Sequence, residues 1–487
     1  MVPPWGGMGA SASSFFNLIF IQTPRIWRIV MPTLRCFKGH FVYYLGVAIS
    51  AFALVTGMCP SLFAQTLSTR SAVGGISVDA NGLLENAEVD QLGELSRIRS
   101  RALEPIPGNL NQATPLRKVS LRRLEEAIKK YIEDGKELPD SVKYLAGLQG
   151  IRYIFVDPER KDIVLAGPGE GWTVDASGNV VGVTTGRPVM FLDDLLVALR
   201  TAGKTVQSGI SCSIDPTPEG LTRLRAHVNK LKTIGNPSMT AAGIEDVLGM
   251  QQISVVGVPE TSRFARVLVA ADYRMKRLAM NFDPPPVSGL PSFLQMMKAS
   301  GSGMRNMLPR WWLMPSYDPL LRDADGLAWE LRGASVKAMT EEDFLAADGT
   351  RRHTGRASGV AQKWANNMTS KYSELAIADP IFGELQNCME LAVVAALIVK
   401  EDLSQKAGSS MPLLLDPTDV DIANFPAPKQ VDSKASVLKK GRKWIISASG
   451  GVLVDSWAIV EKVKQDNSLD KVRTKAIADE STNWWWN

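Results

Sequence analysis

The sequence predicts an α+β fold, and three observations carry that prediction. Short runs of alternating apolar residues flank turn-forming clusters and read as β-hairpins, while longer segments with apolar residues every third or fourth position read as amphipathic helices. The two kinds also follow one another without the regular strand–helix–strand alternation of a parallel sheet. Ordinary globular composition, 45% apolar and 22% charged over 487 residues, leaves room for several domains and excludes collagen-like, disordered and multi-spanning chains.

The first 64 residues stand apart. They hold Arg25, Arg28, Arg35 and Lys38 and no acid, so of the formal charge of +5 only about +1 belongs to the remainder. Bulk charge therefore gives no argument for nucleic acid as a partner. Phe41 to Met58 is a charge-free apolar run behind Arg35 and Lys38, followed by Pro60 and Leu62-Phe63-Ala64. That is the order of a secretory signal cut after Ala64, with Met31 the more natural start. An uncleaved anchor at residues 41–58 is the alternative, and either way the remainder is exported to the periplasm or beyond. Cleavage removes Cys36 and Cys59 and leaves Cys212 and Cys388, which an oxidising compartment invites to pair as a disulfide.

Breakers divide the chain into that leader, 1–64; a short strand segment and Pro-rich linker, 65–115; two α+β domains, 116–235 and 236–410; and a C-terminal hairpin and tail, 411–487. Gly75 to Leu84 is a hairpin turning at Asn81-Gly82. Ser120 caps a helix to Asp134, and Gly135 stops it. Ile151 to Ala166 and Trp172 to Val181 are two further hairpins. The second, Val-Asp-Ala-Ser-Gly-Asn-Val, echoes Val78 to Leu83 and Ile446 to Val452, a likeness that shared turn chemistry accounts for. A helix runs from Phe191 to Ala202, and another starts with Thr217 as cap and Pro218 at its first position. Gln251 to Val258 reads as a buried strand and Ser262 to Met280 as the most periodic helix. Strands Arg310 to Met314 and Leu327 to Leu331 bracket a loop, and helices Ala357–Ala378 and Ile381–Asp402 break at Asp379-Pro380. Met389 to Val399 is apolar on nearly every side and short, which marks a buried core helix.

Chemical motifs are few. Gly167 to Gly171 is glycine-rich but runs on into a strand, so it is a turn and not a phosphate cradle. Ala198 to Thr205 lacks the first P-loop glycine. Only His227 and His353 follow the leader, with no ligand spacing for zinc. Asp323 to Gly326 lacks calcium ligands at both ends of its loop, since Leu321 and Arg332 stand there, and is a hairpin turn. The sequence therefore implies neither metal nor cofactor. No nucleophile elbow occurs, and the Ser-x-x-Lys matches at Ser436 and Ser468 are chance-level. Acid runs Asp193-Asp194 and Glu341-Glu342-Asp343 suit first helical turns, where they complement the helix dipole.

One organised basic feature remains. On the helix from Ser262 to Met280, Phe264, Val267, Leu268, Ala271, Met275 and Leu278 form an apolar stripe. Arg263, Arg266, Arg274 and Arg277 gather on an adjoining face, as a solvated edge or as a ridge for binding anions. The expectation is a non-catalytic envelope protein that binds an anionic polymer or protein partner there, aided by Trp311 or Trp312. The alternative is a carboxylate-based hydrolase of envelope polysaccharide. Trp484 to Trp486 reads as a disordered end, with a docking tail as the alternative.

Asp215 to Leu221, Ala270 to Lys276, Pro309 to Trp312 and Asn387 to Leu391 together resemble a family of exported planctomycete proteins classed only as a domain of unknown function. The resemblance spans about residues 75–410. It implies an exported envelope protein and transfers no catalytic residue.

Overall fold

Along Ile210–Pro216, Ile210, Cys212, Ile214 and Pro216 are buried while Ser211, Ser213 and Asp215 are half-exposed. A period of two is what a strand with one covered face requires. In this computed structural model the strand lies in a seven-stranded sheet of order Arg351–His353, Ser335–Leu345, Leu308–Ser316, Ser449–Val454, Ile210–Pro216, Met250–Val256, Gln430–Asp432. Ser449–Val454 runs parallel to Leu308–Ser316, and the other pairings are antiparallel. The structure describes residues 73–478 apart from 74, 80, 88–89, 91–93, 232–234, 301–307, 346–350, 354, 417–419, 441 and 447–448, together with residue 486. The leader, Trp484 and Trp485 lie outside them.

A six-stranded sheet is built on the expected hairpin Tyr153–Asp157 and Asp162–Gly169, flanked by Thr114–Ser120 on one side and Ala328–Glu330 on the other. The fold is thus mixed α+β. Both sheets belong to one compact unit, Thr69–Asn487, and the larger draws strands from all three segments 116–235, 236–410 and 411–487.

Helix starts follow their caps. The Ser120 hydroxyl accepts from the Arg123 N–H at 3.1 Å, and the Thr217 hydroxyl from that of Gly220 at 2.9 Å with Pro218 in the first turn. Helix Pro380–Lys400 is long and apolar enough to cross a membrane, yet 94% of its most apolar window is buried inside the fold. It is a core helix, packed on Leu192–Thr201, Arg263–Ala279, Tyr372–Ala378 and strand Ser335–Leu345.

Three expectations need correction. Met250–Val256 is not buried: Gln252, Ser254 and Val256 are exposed, because they lie on the face of the sheet that no layer of the described residues covers, the face that also carries the half-exposed Ser211 and Ser213 of its neighbour. Glu341 to Asp343 sit in strand Ser335–Leu345, where pairing with Leu308–Arg310 overrides their helical look. Cys212 and Cys388 are both free and buried, one in mid-sheet between Val255 and Val452, the other on the core helix. They do not form a disulfide, because each thiol is enclosed by its own element's packing. Burial pushes both thiols up.

Two of the three echoed segments share one loop, and the separately read turn at Asp323 repeats it. In Asp79-Ala80-Asn81-Gly82-Leu83, Asp175-Ala176-Ser177-Gly178-Asn179 and Asp323-Ala324-Asp325-Gly326-Leu327, the Asp Oδ1 accepts from the N–H four residues on, at 2.7, 2.8 and 2.8 Å. The glycine has φ of 79°, 89° and 68°, a left-handed backbone that other residues adopt at a cost. Ile446 to Val452 is not a fourth case, since its two strands belong to different sheets. Asp175→Ala removes three such bonds, from Ser177, Asn179 and the Asn179 amide. Urea unfolding of that variant should show a loss of about 1–2 kcal/mol, and an unchanged midpoint would remove the aspartate's role.

Lys276 joins helix to sheet. Its Nζ donates to the carbonyls of Ile214 at 3.0 Å and Gly450 at 3.1 Å, two residues paired across neighbouring strands, and to Asp272 Oδ2 at 2.9 Å. Burial pushes Asp272 up to about 6 even though Lys276 draws it down. Gly450 has φ 136°, and a Cβ there would lie 1.7 Å from the Trp311 carbonyl oxygen. The absent side chain is what lets the strand fit.

Candidate functional site

Helix Arg263–Ala279 forms as its pattern predicts. Ser262 caps it, accepting from the Ala265 N–H at 3.1 Å, and the six stripe residues are buried. The arginines do not form an exposed ridge. Arg263 is 4% exposed and donates to Asp194 and, at 2.6 Å, to Glu384 Oε1, with its guanidinium 3.6 Å from the Phe191 ring centroid. Arg266, also buried, donates to the Pro426 carbonyl at 2.8 Å. Arg274 bridges Asp283 and Asp379, and Arg277 grips both oxygens of Asp283 at 2.7 Å. Helices Leu192–Thr201 and Pro380–Lys400 cover Arg263, segment 421–427 covers Arg266, and segment 281–286 covers Arg274 and Arg277. Trp311 is fully buried, edge-on to Phe293 and Trp364, and Trp312 is half-buried.

The cleft lies at the N-terminal end of helix Leu192–Thr201. Asp193 and Asp194 occupy its first turn, but consecutive helical residues project about 100° apart, so only Asp194 reaches Arg263. Asp193 instead lines an open hollow of about 740 Å³ with Tyr144, Phe191, Phe425 and Asp421. A second hollow, of about 350 Å³, shares the three rings and is lined also by Arg263, Glu384 and Asn179. Tyr144 meets Phe191 edge-on at 5.2 Å between centroids. It is held by an unusual turn: Leu145 and Ala146, both buried, have φ of 44° and 55°. Such left-handed non-glycine residues store strain, on the order of 1–3 kcal/mol each, and cluster at functional sites.

Acids outnumber the base beneath these rings. Arg263 is shared between Asp194 and Glu384, while Glu384 Oε2 and Asp194 Oδ1 are buried without a hydrogen-bond partner. Burial, opposed by Arg263 and reinforced by Asp194, pushes Glu384 up to about 7. Burial and the neighbouring Asp194 push Asp193 up to about 6. Asp194 is raised too, chiefly by burial and against the pull of Arg263. Burial alone would lower Arg263, but the two carboxylates hold it above its ordinary value. Tyr144 is pushed up to about 12, first by burial and then by Asp140.

A carboxyl whose pKa is higher folded than unfolded takes up its proton on folding. The stability Glu384 contributes is therefore greatest below its ordinary value of 4.5 and is lost as pH rises through about 7. Glu384→Gln should match the wild type near pH 4.5 and exceed it at pH 8 by on the order of 2 kcal/mol. Urea unfolding at both values tests this, and a constant difference between the two proteins would refute it.

Residues 212–293 match a family described as Protein of unknown function (DUF1598). No curated protein and no solved structure matches the chain. The DUF1598 segment includes Asp215 to Leu221 and Ala270 to Lys276 but stops short of Pro309 to Trp312 and Asn387 to Leu391, so it is narrower than the expected span of 75–410. It supplies Arg263 and Arg266 to the site. Tyr144, Phe191, Asp193, Glu384 and Phe425 all lie outside it.

Sequence reading missed Glu384 and the three rings. One signal was present: Glu384, Asn387 and Cys388 recur at helical spacing in the half of a largely apolar helix that also holds Gln386 and Glu390. Each is engaged, Glu384 with Arg263, the Asn387 amide with the Pro188 carbonyl at 3.1 Å, and the Cys388 thiol with Asp194.

Proposed function

We propose that the protein is an exported, non-catalytic binding protein of the cell envelope, and that its ligand is a small organic molecule held at Tyr144, Phe191 and Phe425. The observation that carries this reading is the meeting of the 740 and 350 Å³ hollows at those three rings, directly beside the buried Arg263 pair. Concave, largely apolar sites with a few placed polar groups are the usual form of small-ligand pockets. The strained turn behind Tyr144 supports the same assignment. An anionic polymer held along the arginine helix is disfavoured, since all four arginines are engaged by acids or carbonyls of this chain.

The test is a ligand-observed NMR screen of aromatic fragments against the purified protein and a Phe425→Ala variant. Hits that weaken at least tenfold in the variant support the cleft. A screen without hits, or hits indifferent to Phe425, would sink the reading.

The polysaccharide hydrolase is the second reading, favoured by one observation: Asp193 and Glu384, both raised toward neutrality, line adjoining hollows. Against it, no tryptophan lines either hollow among the described residues. It requires release of new reducing ends from envelope polysaccharide, abolished by Asp193→Asn and by Glu384→Gln alike.

A further inference from the structure

We propose that the ligand carries an organic ammonium group and that Asp193, in the larger hollow, is its counter-ion. This rests on the cleft reading above and adds the chemical class.

The charges around the hollow decide it. Asp193, Asp421 and Glu137 line it on the acidic side, and Lys136 and Lys143 on the basic side. Both lysines are drawn elsewhere, Lys136 to Asp134 at 3.0 Å and Lys143 to Asp140 at 3.9 Å. Behind the Phe191 ring the single positive charge of Arg263 already serves two carboxylates. Arg266 stands 5.8 Å from the Phe425 ring centroid and Arg200 acts on Asp193, so five acids, Asp193, Asp194, Glu384, Asp421 and Glu137, face three arginines. The region therefore holds surplus negative charge beside apolar walls, where a unit charge is felt more strongly than in water. An anion entering it would be repelled, and a neutral aromatic would strip water from Asp193 without replacing it. An ammonium ion answers both conditions, because it pairs with Asp193 in a hollow that the aromatic rings of Tyr144, Phe191 and Phe425 line, and aromatic walls favour organic cations. Tyr144 stays a neutral phenol throughout the neutral range, so its ring adds no competing charge.

Besides the hollow's own residues, Asp193 is influenced by Asp194 and Arg200 of its helix, Arg263 of the arginine helix and the Ala423 N–H. With Asp193 raised to about 6, acid should neutralise it while an alkylammonium ligand remains charged.

Matched pairs separate the two levels of the argument: 2-phenylethylammonium against 2-phenylethanol, titrated by NMR into the protein at pH 7.5 and pH 5. The wild type should bind the ammonium at least tenfold more tightly at pH 7.5 and lose most of that preference at pH 5. Asp193→Asn should bind both probes equally at both pH values. Loss of the pH dependence in Asp193→Asn assigns the titration to Asp193. Circular dichroism and thermal melts of the variants, with Asp193→Ser as a second replacement, show that each is folded. Equal binding of the two probes by the wild type would overturn the ammonium inference and leave the cleft reading standing. A preference that survives both Asp193 replacements would overturn the assignment to Asp193. Binding of neither probe would overturn both readings.

Discussion

Replacing Arg263 by Met is expected to destabilise the protein by about 3–5 kcal/mol, because it strands Asp194 and Glu384 in the interior with no counter-charge. The two carboxyls would have to take up protons or draw in water, and the ring of Phe191 would lose the cation stacked on it. The loss should be reversible in a defined way. A triple variant, Arg263→Met with Asp194→Asn and Glu384→Gln, removes the charges together and should recover most of the stability, since removing a whole buried ion cluster is often close to neutral. Urea unfolding at pH 7.5 of the single, double and triple variants gives the coupling. If the triple variant is as unstable as the single one, the arginine acts through packing and not through charge.

Gly450→Ala is expected to be comparably severe, on the order of 3–5 kcal/mol or complete failure to fold. The new methyl group would fall 1.7 Å from the Trp311 carbonyl oxygen at a φ of 136°. Backbone, unlike a flexible side chain, cannot step aside without breaking the parallel pairing of Trp311 with Gly450. Gly235→Ala is the control, since a Cβ there meets nothing within 4 Å. Equal stability of the two variants would remove the close approach as the reason for glycine at 450.

Features decided within a few residues were legible in the sequence. The hydroxyls of Ser120, Thr217 and Ser262 each bond to an amide three residues on, so the caps could be read directly. The apolar stripe from Phe264 to Leu278 also depends only on helical spacing. The fate of the charges was not legible. Arg263 finds its partners 69 residues before it and 121 after it, and a helical projection gives direction without saying what covers that side. The acids Glu341 to Asp343 show the same limit. Their helical character lost to a strand pairing whose partner, Leu308–Ser316, lies about thirty residues upstream.

The sheet's order also dictates when folding can finish. Ser449–Val454 lies between Ile210–Pro216 and Leu308–Ser316, which do not pair with each other. A chain emerging from its N-terminus holds both halves of this sheet long before the strand between them exists. Each half then presents an open edge that invites a wrong partner. Completion waits until more than nine-tenths of the chain is out, and long-range pairing of this kind is slow to form. Until Ser449–Val454 arrives, two edges at the middle of this sheet stay unpaired, and that interval is where the chain is most exposed to misassociation.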